Sequence, residues 1–156
     1  LNIDSHYYTT GPEILAWAFE NRFQIDAIVT GTGTGGTLMG LHKRIKPQFP
    51  NMKMIAVEPK ESAVMSGGEP GIHGIQGIGD GSKFLVDMDN VDWISVISTE
   101  DAKERARRLA KEHGLFVGIS AGANILAAER WIEEVKPKNQ VVTFLCDRGD
   151  RYFSCL

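Results

Sequence analysis

The chain has 156 residues, 42% of them hydrophobic and 24% charged, with a formal net charge of −3. This is one ordinary globular domain with room for a sizeable core. The mild negative charge offers nothing to nucleic acid or an anionic membrane, and no apolar run approaches the roughly 20 residues that span a bilayer.

Leu1-Asn2-Ile3-Asp4 opens the chain with neither a secretory signal nor a methionine, so further polypeptide is expected upstream. Thr10-Gly11-Pro12-Glu13 fits a capping box and predicts helix over 12–23. Strand follows over 25–30, then a glycine turn at 31–37, then helix over 37–46 stopped by Pro47. Residues 52–57 read as a second strand, 62–66 as a short helix, and 67–81, with seven glycines and a proline, as loop. A third strand is expected over 91–97. Ser98 and Thr99 cap a helix running to His113, with Gly114 as its stop. A short extended piece over 115–118 leads to a last helix over 120–135, which Pro137 blocks, and to a closing strand over 140–146.

Helices alternate with strands that are mostly apolar on both faces. That pattern predicts an α/β fold of three layers, a parallel sheet between two sets of helices. In such sheets ligands bind beyond the carboxyl ends of the strands. The turns at 31–37, 77–81 and 118–122, and the tail after Cys146, are expected to gather there.

Gly31-Thr32-Gly33-Thr34-Gly35-Gly36-Thr37 is the most informative stretch. Glycines permit positive φ and leave no Cβ in the way of an anion. Free amides at a helix start, helped by the helix dipole, then point at one spot. The turn reads as a phosphate cradle. Gly31-x-Gly33-x-x-Gly36 also matches the dinucleotide fingerprint, with Glu58 placed to hold an adenine ribose, so an NAD-dependent oxidoreductase domain is one reading of the turn.

Four further segments add to it: His6-Tyr7-Tyr8-Thr9-Thr10-Gly11-Pro12-Glu13-Ile14, Gly74-Ile75-Gln76-Gly77-Ile78-Gly79-Asp80-Gly81, Gly118-Ile119-Ser120-Ala121-Gly122-Ala123 and Asp147-Arg148-Gly149-Asp150-Arg151-Tyr152. With Gly33-Thr34-Gly35-Gly36-Thr37, in this order and spacing, the chain resembles the carboxyl-terminal half of the cysteine synthase (O-acetylserine sulfhydrylase) and cystathionine β-synthase family. The resemblance covers nearly all of it.

The resemblance implies an incomplete tryptophan-synthase-β-like fold (fold type II) that binds pyridoxal 5′-phosphate. Gly33, Thr34, Gly35, Gly36 and Thr37 are implied to hold the cofactor's phosphate, and Ser120 to meet its pyridine nitrogen. A hydroxyl, unlike a carboxylate, does not keep that nitrogen protonated, which suits β-elimination better than transamination. Gln76 and Gly77 are implied to lie beside an amino-acid substrate. The implied reaction is β-replacement on O-acetylserine with sulfide, in a cytoplasmic homodimer. Asp80 stands where many cysteine synthases carry a small residue, which leaves phosphoserine or cystathionine-type chemistry open.

The family's Schiff-base lysine motif has no counterpart in this sequence. Lys43, Lys46 and Lys111 fall on patterns of exposed helix faces, where an amine lacks the desolvation that lowers its pKa. The chain is therefore expected to be inactive alone, lacking the amino-terminal half. A non-catalytic cofactor-binding module is a further reading.

The remaining candidates take plain roles. Ser120 also suits an N-cap. Cys146, ending an apolar run, and Cys155 read as inert thiols of a reducing compartment. His6, His42, His73 and His113 share no metal-ligand spacing and read as solvent-facing or capping. Trp17 and Trp131 read as core or interface, and Arg148-Gly149-Asp150 as coincidence.

Overall fold

The computed structural model describes residues 1–156. Strand β1 (Ile25–Gly31) is apolar on both faces because both are covered. Ile28 turns one way, while Ala27 and Val29 turn the other. It lies parallel to β2 (Lys53–Pro59) on one side and to β4 (Gln140–Thr143) on the other. Strand β3 (Trp93–Ile97) completes a parallel sheet of order β3-β2-β1-β4.

Helices α2 (Thr10–Glu20) and α3 (Gly36–Ile45) cover the Ile28 face. Leu15, Leu38, Leu41 and Ile45 pack there on Ile28, Met54 and Ala56. Helices α4 (Thr99–His113) and α5 (Ile119–Val135) lie on the other face. From them Ala102, Ile119, Ala123, Ala127 and Trp131 meet Val29, Ile55, Val57 and Ile97. Each fully buried Ile or Leu adds about 2 kcal/mol. The expected three-layer α/β fold is present. No helix is long and apolar enough to cross a membrane.

Helix α4 forms as its caps dictate. Ser98 accepts from the Asp101 amide, and Gly114, at φ +69°, closes the carboxyl end. Elsewhere tertiary contacts override local signals. The chain opens with a helix that the sequence did not announce, α1 (Asn2–Tyr8), which has no buried residue of its own. It exists because α3 offers a close seat. A Cβ on Gly40 would lie 2.6 Å from the Ile3 carbonyl, and one on Gly36 would lie 2.7 Å from Asn2 Cβ. The capping box at Thr10 is not made: α2 starts at Thr10 itself, whose hydroxyl bonds to His6 Nδ1 at 2.9 Å. Helix α2 also ends earlier than expected, at Glu20. Residues 62–66 form no helix beyond the single 3₁₀ turn Lys60–Ser62, because their amides turn to Glu58.

Trp131 is core, whereas Trp17 is 41% exposed and packs on Phe23. Lys46 departs from the exposed-face reading. It is half-buried, donates to the Met52 carbonyl and pairs with Asp92.

Candidate functional site

The closing strand stops at Thr143, three residues short of the expected end at Cys146, and the reason is Asn124 of α5. This side chain is fully buried. Its Oδ1 accepts from the Gly31 amide at 2.7 Å, and its Nδ2 donates to the Phe144 carbonyl at 2.9 Å. Asn124 thus takes the hydrogen bonds that the β1–β4 ladder would make next, and the two strands part. They part at the topological switch point, since α3 leaves β1 on one face of the sheet while α5 leads to β4 on the other. Crevices for ligands form there in α/β sheets.

A cleft of about 600 Å³ occupies the gap. It gathers Gly33, Thr34, Gly35, Gly36 and Thr37 from the glycine turn, Gln76, Gly77 and Asp80 from the long loop, Ser120 from α5, and Cys146, Asp147 and Tyr152 from the tail. The sequence-derived site residues therefore all line one cavity. No lysine lines it.

The turn has the geometry of an anion cradle. Gly35, at φ +83°, is the N-cap of α3. The amides of Gly33, Thr34, Gly35 and Thr37 donate to no acceptor in the chain. Thr37 Oγ1 is held by His6 Nε2 at 3.1 Å, and Thr34 Oγ1 takes Asn2 Nδ2 at 3.2 Å, so α1 buttresses both hydroxyls. His6 is thus a brace between Thr10 and Thr37, not a solvent-facing residue. Unpaired amides, an ordered hydroxyl and the positive end of α3 fit a phosphate monoester.

Ser120 is not an N-cap. Gly118 holds that position, and Ser120 is the second residue of α5, buried at the cleft wall. Its hydroxyl reaches the Cys146 sulfur. Cys146 itself is exposed along the cleft rather than packed in a strand. Burial of its sulfur pushes the thiol's pKa up, and the Asp147 charge adds to this, outweighing hydrogen bonds from Ser120 and Asn124. A raised pKa disfavours the thiolate, the form in which a cysteine acts as a nucleophile.

Glu58 does not face the cleft. Its carboxylate is 2% exposed and accepts from the amides of Met65 and Ser66 and, in a short bond, from the Ser66 hydroxyl. It is spent on folding the segment after β2 and is not free to hold a ribose. The dinucleotide reading is corrected on this point.

The Tyr152 hydroxyl donates to Asp147, and this bond, with burial and the carboxylate's charge, pushes the phenol's pKa up to about 12. Alkaline titration followed by tyrosinate absorbance is expected to show one late ionisation near 12, against an ordinary value of about 10. Asp147→Asn should bring it back towards the ordinary value. The folded-state pKa is the higher one, so this bond's contribution to stability is present below about pH 10 and is lost as pH rises through about 12.

A parallel α/β sheet with a turn of free amides at its switch point defines the class of α/β proteins whose ligand crevice lies beyond the carboxyl ends of the strands. Within that class the chain belongs to the pyridoxal-phosphate dependent enzyme family, whose pattern matches residues 1–147. It is similar to a cysteine synthase of Staphylococcus aureus, 44% identical over 98% of this chain and 49% of the relative. Among solved structures it superimposes on a cysteine synthase of Entamoeba histolytica with a TM-score of 0.90 at 36% identity, covering 99% of this chain and 45% of that one. An O-acetylserine dependent cystathionine β-synthase of Helicobacter pylori gives a TM-score of 0.87 at 37% identity, covering 98% of this chain and 49% of that one. The chain spans about half the length of the relatives it matches.

Proposed function

We propose that residues 1–156 are the phosphate-binding part of a β-replacement enzyme that makes cysteine from O-acetylserine and sulfide. The observation that carries this is the set of unpaired amides at Gly33, Thr34, Gly35 and Thr37, opening into one cleft with Ser120, Gln76 and Gly77. In a chain 44% identical to a cysteine synthase, those amides with Gly36 are assigned to the phosphate of pyridoxal 5′-phosphate. When bound, that cofactor supplies an electron sink for chemistry at an amino acid's α-carbon.

This chain's own residues then bind and orient. The turn holds the phosphate, and Ser120 offers a neutral hydroxyl to the ring nitrogen. Gln76 and Gly77 sit at the rim, where an amino-acid substrate enters. Asp80, on the same rim, leaves other β-substituted serines open as substrates. The amine that anchors the cofactor's aldehyde is assigned to an amino-terminal half, because no lysine lines the cleft. A cytoplasmic homodimer completes the reading.

Titrating the chain with pyridoxal 5′-phosphate and with NAD is expected to give binding of the first only. Assays with O-acetylserine and sulfide are expected to give no cysteine from the chain alone, and turnover once the amino-terminal half is present. Turnover by the chain alone, or preference for NAD, would overturn the reading.

A further inference from the structure

The long loop meets the cleft through Gln76 and Gly77, which are both exposed, while their neighbours Ile75 and Ile78 are buried. Two buried side chains alone do not set the height of a glycine-rich arch. Further bonds do. The Gly74 amide donates to Thr99 Oγ1 at 2.9 Å, tying the arch's start to α4. The Gly79 amide donates to the Thr32 carbonyl at 2.9 Å, tying its end to the phosphate turn. Across the arch lies His73. The Ile75 amide is 3.2 Å from His73 Nδ1, and His73 Nε2 is 3.0 Å from the Gly79 carbonyl.

An amide only donates, so Nδ1 is the bare nitrogen and accepts. A carbonyl only accepts, so Nε2 carries the proton and donates. One neutral tautomer satisfies both ends at once. The seat is tight as well: Gly79 is at φ +70°, and a Cβ there would lie 2.9 Å from His73 Nε2 and 2.5 Å from Pro59 Cγ. His73 is therefore neither solvent-facing nor a helix cap.

We propose that His73 is a positioning residue, a cross-brace in its Nε2-protonated form that fixes the height of the arch bearing Gln76 and Gly77 over the cleft. It does not line the cleft and acts through the backbone of Ile75 and Gly79. The placement of substrate by this arch rests on the β-replacement reading above. The brace itself does not.

Three variants of the full-length enzyme test it. In His73→Ala, deuterium uptake over residues 74–79 is expected to rise about tenfold, and KM for O-acetylserine to rise about tenfold, while affinity for pyridoxal 5′-phosphate stays within about threefold of wild type. In His73→Gln, whose amide reaches the Nε2 position and still donates to Gly79 but leaves the Ile75 amide without its acceptor, both quantities are expected to fall between the wild-type and alanine values. No recovery at all would overturn the role of the Gly79 bond. In His73→Asn, whose amide stops at the Nδ1 position, they are expected to stay near the alanine values. In the wild type, the imidazole ¹⁵N shifts of the neutral ring are expected to report a bare Nδ1 and a protonated Nε2. That measurement decides the matter even if a variant fails to fold.

Unchanged uptake in His73→Ala, a protonated Nδ1, or raised uptake with unchanged KM would each overturn the proposal. A wild-type enzyme that makes no cysteine would instead sink the function reading, and the uptake and ¹⁵N data would then decide the brace alone.

Discussion

Gly35→Ala is expected to weaken binding of pyridoxal 5′-phosphate by roughly 30-fold to 1,000-fold, the equivalent of about 2–4 kcal/mol. The residue sits at φ +83°, where a side chain costs about 1–2 kcal/mol. The new Cβ would also lie 2.5 Å from Val86 Cγ2 and 3.0 Å from the Val86 amide nitrogen. Val86 is 8% exposed and packed in the core, so it cannot retreat far. The turn must move instead, and it takes with it the aim of the amides at Thr34, Gly35 and Thr37. Gly67→Ala is the control. It has nearly the same φ, +86°, but nothing within 4 Å and no part in the cleft. It should cost about 1 kcal/mol of stability and leave binding unchanged. Fluorescence titration of both variants compares them directly. Equal binding by Gly35→Ala and wild type would remove the turn from the site.

Asn124→Ala is expected to destabilise the fold by about 2–5 kcal/mol, because it orphans two part-buried backbone groups at once and empties a fully buried site. The part-buried Gly31 amide and Phe144 carbonyl would lose partners at 2.7 Å and 2.9 Å, and the fully buried Asn124 site would be left without its side chain. For a chain of this size the midpoint of thermal unfolding should fall by about 5–15 °C. Asn124→Asp is expected to do no better, since a carboxylate still accepts from Gly31 but meets the Phe144 carbonyl with no donor. Cofactor binding should weaken alongside, because the parted ends of β1 and β4 form the cleft floor. A melting temperature within a degree of wild type would show that something else holds the strands apart.

Much of the fold was legible in the sequence because its signals were local. Ser98 and Gly114 set the ends of α4, the first by a side-chain oxygen facing free amides, the second by a backbone angle that glycine adopts at little cost. The apolar runs in β1 and β2 told of a sheet covered on both faces. The turn at Gly31 to Thr37 declared its anion chemistry through residue types alone, and the structure places every nominated cleft residue on the same wall or rim.

Other features had no local signal. Helix α1 owes its existence to the missing Cβ atoms of Gly36 and Gly40, more than thirty residues away. A buried asparagine within an alanine-rich helix, Asn124, was the one available hint of the split sheet, and its partners lie 93 and 20 positions distant. Glu58 had the right spacing for a ribose, yet spacing does not tell which way a carboxylate turns. His73 likewise shows its two-ended role only once Ile75 and Gly79 fold back to meet it.

The amino-acid order by itself determined the alternation of elements, the helix ends and the phosphate-seeking turn, since each depends on torsion preferences and hydrogen-bonding capacity within a few residues. The tertiary structure alone decided where the sheet opens, which polar groups are consumed by folding, and which stay free to meet a ligand. Those outcomes depend on partners brought together across the chain, and on the cost of leaving any buried donor or acceptor unpaired.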